Sequence, residues 1–242
     1  AWLLRRLMGF RDSGGIVTCA TLPMAERLGN ELAMLEKLFP GTPKLAVLPD
    51  SRVPGRPLNT QIEAERAKVL DRFLHREVDW LLTGVESALA PALAPAELES
   101  YELVLTPGRE YRFHELIERL VEFDYDDEFE VQVPGEFSRR GGLIDIFSPA
   151  CDFPVRLEFW GDQLETIRRF DPETQRTTGL ENSYRLIARR SEALEAELTD
   201  ALAYLPVHEG CLIEVFPGEI DRQLDKYASE EAAQRYRELR HS

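Results

Sequence analysis

With 242 residues, 43% of them hydrophobic, the chain has apolar material for one large domain or two of ordinary size. Its formal charge of -15 at pH 7 and pI near 4.8 exclude a broadly cationic surface for nucleic acid or an anionic membrane, because phosphate binding rests on clustered Lys and Arg. A basic partner or a specific protein partner fits this balance better.

The opening "AWLLRRLMGF" reads as the middle of an amphipathic helix with no cap before it, so the chain is expected to be part of a longer protein. Residues 14 to 106 then alternate apolar runs with helical periods, the pattern of a parallel sheet covered by helices. "GGIVTCA", "KLAVLPD", "DWLLTGV" and "YELVLTP" are its predicted strands, with the two glycines of the first read as a turn. Ala25, Leu28, Leu32, Leu35 and Phe39 predict a helix that starts by Thr21 and Pro23 and ends near Pro40-Gly41. A second helix is predicted over 61 to 76 behind the loop "DSRVPGRPLN", with Arg66 interrupting its apolar stripe. Beyond a shift to Ala, Pro and Glu the pattern changes. Phe113, Leu116, Ile117, Leu120 and Val121 give an amphipathic helix, and "DYDDEFEVQV", "GLIDIF", "PVRLEFW" and "QLETIRRF" have the period-two character of a small antiparallel sheet. Gly161-Asp162 suits a tight hairpin between the last two. From about 187 the chain is read as helical again through Leu194, Leu198 and Leu202, then as a strand, "GCLIEVF", and a final charged helix. The fold class is therefore α/β, a parallel-sheet domain interrupted by an inserted helix-plus-antiparallel-sheet domain. The expected boundaries are 1 to 96, 97 to 187 for the insertion, and 188 to 242 for the return segment.

Several chemistries have no sequence support. Neither GxxxxGK[ST] nor a strand-to-helix GxGxxG is present, and there is no GxSxG elbow. Cys19, Cys151 and Cys211 form no CxxC pair, and His75, His114, His208 and His241 form no HExxH or HxH pattern, so no disulfide framework or metal site is predicted. The acidic run "EFDYDDEFE" reads as the solvated entrance to a strand. No segment reaches the ~18 apolar residues of a membrane span and no signal peptide is visible, which predicts a cytoplasmic protein.

The strand "PVRLEFW" raises a question of facing. Side chains alternate along an extended strand, so Val155, Leu157 and Phe159 turn toward the helix while Arg156, Glu158 and Trp160 turn outward. An outward Trp beside an Arg is the composition of a binding hot spot, a large rigid apolar area with planar donors. Spacing alone equally allows Trp160 to cap the sheet edge or pack on the neighbouring domain, with Glu158 pairing Arg156. Arg139-Arg140-Gly141-Gly142 stands at a turn or bulge just before the preceding strand, which could bring Arg140 onto the same face.

The run "VPGEFSRRGGLIDIFSPACDFPVRLEFWGDQLETIRRFDPETQRT" closely resembles the N-terminal UvrB-like module of the bacterial transcription-repair coupling factors (Mfd), and more distantly the excision-repair helicase UvrB. The resemblance implies a degenerate, helicase-like α/β domain carrying an inserted UvrA-binding domain, non-catalytic itself, that recruits UvrA to lesion-stalled RNA polymerase. Arg140, Arg156 and Trp160 fall on the UvrA-binding positions. It implies no cofactor for this chain, with ATP and magnesium, and contacts with RNA polymerase and DNA, belonging to other domains of the parent translocase. Truncating Arg156 or Trp160 is expected to abolish UvrA binding without lowering the melting temperature. The alternative is an ATP-dependent DNA-repair motor fragment of the UvrB type, with phosphate-binding residues before Ala1. "PDSRVPGRPLNTQIEAER" departs from the family in lacking its aromatic string, and the tail after 187 is shorter.

Overall fold

The computed structural model describes residues 2–9, 14–39, 41–50, 59–189, 198–205 and 210–240. They form two compact units, one of Ala1–Leu58, Val69–Pro95 and Leu198–Ser242, the other of Asn59–Lys68 and Ala96–Glu197.

In chain order the first segment holds α1 (Trp2–Gly9), β1 (Gly15–Cys19), α2 (Leu22–Leu38), β2 (Leu45–Val47), α3 (Thr60–Leu74), β3 (Trp80–Gly84), α4 (Val85–Ala88), β4 (Ala92–Leu93) and α5 (Pro95–Ser100). β1 and β3 are buried along their whole length, which is why they read as continuous apolar runs and not as alternating ones. Pro23 lies in the first turn of α2, where a missing N–H costs nothing, and Gly41 beyond its end takes φ +89. Leu3, Leu7, Val17, Ala25, Leu32, Trp80 and Leu82 form one core with Ile213 from far along the chain. Arg66, the residue that interrupts the apolar stripe of α3, is itself buried.

The middle of the chain supplies β5 (Glu102–Leu105), α6 (Phe113–Glu122), β6 (Asp126–Asp127), β7 (Glu136–Arg140), β8 (Leu143–Phe147), β9 (Val155–Trp160), β10 (Gln163–Phe170), β11 (Thr177–Glu181) and β12 (Tyr184–Ile187). Six of these strands make one sheet in the order β11-β10-β9-β8-β7-β6. Arg189, just beyond β12, ties this unit together: its buried guanidinium donates to Asp124, Asp126 and the carbonyl of Gly135. The return segment then gives β13 (Leu198–Thr199), a 3-10 turn over Ala201–Tyr204, β14 (Cys211–Glu214), α7 (Pro217–Tyr227) and α8 (Glu230–Arg240). β14 lies parallel to β1, so the first sheet has the order β14-β1-β3-β2 with every pairing parallel. The architecture is thus the interrupted α/β fold expected from the sequence, and no helix among the described residues is long and apolar enough to cross a membrane.

Three expectations are corrected. "YELVLTP" does not join the parallel sheet: β5 pairs antiparallel with β12 in a two-stranded sheet of its own. Its half-buried pattern, with Val104 exposed, differs from the all-buried β1 and β3. "DYDDEFEVQV" is mostly loop, and its only strand residues, β6, pair parallel with β7, so the six-stranded sheet is mixed at that edge. The carboxylates of Asp126 and Asp127 are better satisfied at a short sheet edge by Arg189 and Arg139 than within a long ladder. The helical period around Leu198 and Leu202 gives a two-residue strand and a 3-10 turn capped by Asp200, whose side chain accepts from Leu202 N–H; Leu194 lies outside the described residues.

Candidate protein-binding face

β7 to β11 form a twisted sheet whose two faces are sorted by the period-two rule. Phe137, Ile144, Ile146, Val155, Leu157, Leu164 and Ile167 are buried on one face. Phe159 follows the same alternation and packs edge-on against Phe113, the first residue of α6, with ring centroids 5.4 Å apart.

The other face is set by register. One row runs across five strands, Ser138 opposite Asp145, Asp145 opposite Arg156, Arg156 opposite Arg168 and Arg168 opposite Leu180. The next row runs Arg140, Leu143, Glu158 and Thr166. Trp160 follows at the end of β9, paired with Gln163 across the two-residue turn. Two glycines allow this layout. Gly161 takes φ +63, the left-handed value the tight turn demands. A side chain at Gly142 would bring its Cβ to 2.9 Å from the carbonyl oxygen of Phe159, so the β7–β8 hairpin lies close against β9 only with glycine there.

The three residues singled out from the sequence therefore share one face. Trp160 is 82% exposed, its ring open to water on this face. Arg140 and Arg156 line one recess of about 120 Å³, together with Ser138, Leu143 and Asp145. The arginines are not free forks, however. Arg156 donates from Nε to Asp145 Oδ1 and from Nη2 to Oδ2, both at 2.7 Å, a bidentate pair in which the Asp145 carboxylate is nearly buried. Hydrogen bonding to Asp145 holds the Arg156 guanidinium above its already high pKa, so its charge is permanent. Glu158, the partner that spacing suggested for Arg156, instead pairs with Arg168 at 3.0 Å and accepts from Thr166 Oγ1 at 2.6 Å. Arg140 reaches back over the loop before β7, donating to the carbonyl of Phe129 and stacking 4.7 Å from that ring's centroid.

Sequence reasoning missed Asp145 and Phe129. Asp145 carried a signal, an acid set between Ile144 and Ile146 in an otherwise apolar strand, but its meaning depends on the register that places Arg156 opposite it. Phe129 lay inside the acidic run and carried none. The arrangement as a whole offers three fixed guanidinium groups, two carboxylates that hold two of them in place, and exposed apolar area at Trp160 and Leu180. Groups so held lose little freedom on meeting a partner, which suits the face to protein recognition.

Comparison with known proteins places this unit. Residues 103–191 match the family model of the UvrB interaction domain. Over 126 residues, 52% of the chain, it is 40% identical to the transcription-repair-coupling factor of Myxococcus xanthus, of which the match takes in 9%. Over 97 residues, 40% of the chain, it is 41% identical to the coupling factor of Mycobacterium bovis, taking in 8% of that protein. The UvrABC system protein B of Mycoplasma pneumoniae is 29% identical over 160 residues, 61% of the chain and 24% of that protein. The chain thus spans a small part of the length of each relative. Residues 103–191 carry the UvrB interaction domain match, and over part of its length the chain is similar to transcription-repair-coupling factors and to the UvrABC system protein B.

Proposed function

We propose that the outward face of the six-stranded sheet docks UvrA, so that the chain serves as the recruiting module of a coupling factor that brings UvrA to lesion-stalled RNA polymerase in nucleotide excision repair. The observation that carries this reading is Trp160, an 82% exposed indole on the same face as Arg140 and Arg156. An exposed aromatic on one face with immobilised arginines costs solvation when free and gains most when covered. The match of residues 103–191, which include these three, to the UvrB interaction domain supports the identity of the partner. In this reading the module binds and orients without catalysing, and any ATP-driven translocation, with its magnesium, and any contact with RNA polymerase or DNA belong to other regions of the parent protein.

The test is calorimetric titration of the purified chain with UvrA, beside Trp160→Ala. Loss of a desolvated aromatic anchor typically removes ~2 kcal/mol, about a thirtyfold weakening. Saturable binding that weakens in the variant supports the reading. Equal binding by both chains, or none by either, rejects it. Arg156→Ala is the poorer probe, because it also strands the buried carboxylate of Asp145.

A further inference from the structure

The docking face as read from the sequence ends at Arg140, but the structure continues it onto the loop before β7. Phe129 is 80% exposed, almost as open as Trp160, and lies within a run of acids. It is nonetheless fixed. Its carbonyl accepts from Arg140 Nη2 and, at 3.1 Å, from Ser138 Oγ, and Ser138 is buried. Its ring lies under the Arg140 guanidinium, 4.7 Å from ring centroid to the central carbon. One side of the ring is thus covered by a cation, and the ring as a whole stays open to water.

A large exposed aromatic adds little apolar burial to the isolated fold, yet the stacking and the carbonyl contact hold it in one place. Fixing it in advance reduces the ordering cost of binding. From these contacts we infer that Phe129 is a second aromatic anchor of the docking face, opposite Trp160 across the row Arg140, Leu143 and Glu158. The inference rests on the proposal that UvrA docks here and extends it: the bound surface must offer a flat apolar patch for Phe129, bordered by carboxylate or carbonyl oxygens that meet the edge of Arg140. Charge supports that border. Arg140 donates to the carbonyl of Phe129, a neutral acceptor, whereas Arg156 is held by Asp145 and Arg168 by Glu158. The ring also helps to hold Arg140 back over this loop, at a hairpin end where a free side chain would sample many rotamers.

The experiment titrates UvrA into four chains, the parent, Phe129→Ala, Arg140→Ala and the double variant, with Trp160→Ala as reference. Removing an 80% exposed ring is expected to leave the melting temperature within about 1 °C. Binding by Phe129→Ala is expected to weaken at least tenfold, and the double variant to bind at least threefold more weakly than Arg140→Ala. Parent-like binding by Phe129→Ala overturns the inference while leaving UvrA docking intact. So does a Phe129 effect that vanishes in the Arg140→Ala background, since the ring would then only position the arginine. Failure of the parent chain to bind UvrA overturns both this inference and the function it extends.

Discussion

Arg156 and Asp145 face each other across neighbouring strands and close a two-pronged bond, 2.7 Å at each prong, with the acid nearly buried and the arginine about one quarter exposed. The pair is part of the sheet before it is part of any interface. Arg156→Ala is therefore expected to destabilise the unit by about 2 kcal/mol, less than the cost of breaking a wholly buried pair because the guanidinium keeps some contact with water. Asp145→Leu combined with Arg156→Met should recover most of that loss, since no charge is left alone. Urea denaturation of the single and double variants checks both statements, and a single variant as stable as the parent contradicts them. The pair thus leads to a different expectation from the sequence alone, which had truncation of Arg156 sparing the melting temperature.

Trp160 makes the opposite prediction. It is open to water while Trp80 is fully buried. Trp160→Phe should remove a red-emitting, acrylamide-quenchable component of the fluorescence and leave the denaturation midpoint unchanged. A variant whose quenching matches that of the parent would place the indole under cover.

The turn at Gly161 and Asp162 can be tested through backbone strain alone. A side chain added at Gly161 meets open space, so the cost of Gly161→Ala is its left-handed φ of +63, about 1 kcal/mol. Gly161→Asn should cost less, because asparagine tolerates that region. Equal stabilities for the alanine and asparagine variants would show that φ is not what glycine supplies there.

Cys19 is wholly buried, and burial pushes its thiol from an ordinary 9.0 up to about 11. Burial also raises Cys151 and Cys211. Thiolate is the reactive form, so iodoacetamide at pH 8 should modify the folded chain far more slowly than the urea-unfolded one, with Cys19 slowest. The sign follows from proton binding. A thiol that holds its proton more tightly in the folded state contributes stability that is intact below pH 9 and declines as the pH climbs toward 11. Peptide mapping after timed alkylation measures the first effect and denaturation at pH 8 and pH 10 the second.

How much of this could be read from residues alone differs between the units. β1 and β3 were legible because a strand buried on both faces must be apolar throughout, and β9 was legible because one buried face enforces alternation. The outward placement of Arg156 and Trp160 followed from that alternation. Their neighbours did not, because Asp145 meets Arg156, and Glu158 meets Arg168, only through a register that no single strand encodes. β5 was assigned to the wrong sheet for a related reason: its apolar run shows that it is a strand, but not which edge it pairs with. Phe129 was hidden among acids, and only its contact with Arg140, 11 residues away, gives it meaning.

The parallel pairing of β1 with β14 sets an order of assembly. Gly15 to Thr18 must wait for Cys211 to Glu214, nearly the whole chain later, before that side of the first sheet closes. The strands of the six-stranded sheet instead lie close together in sequence, most of them joined by antiparallel neighbours between residues 136 and 181. Short loops close quickly and long ones slowly, so on the ribosome the middle of the chain can complete its ladder while β1 still has an unpaired edge. A nascent or truncated chain that stops before residue 211 thus keeps its six-stranded sheet but exposes a bare parallel strand, a template for joining other chains. Heat and proteolysis should reveal the same asymmetry, with loss of the return strand feeding aggregation before the arginine-bearing sheet comes apart.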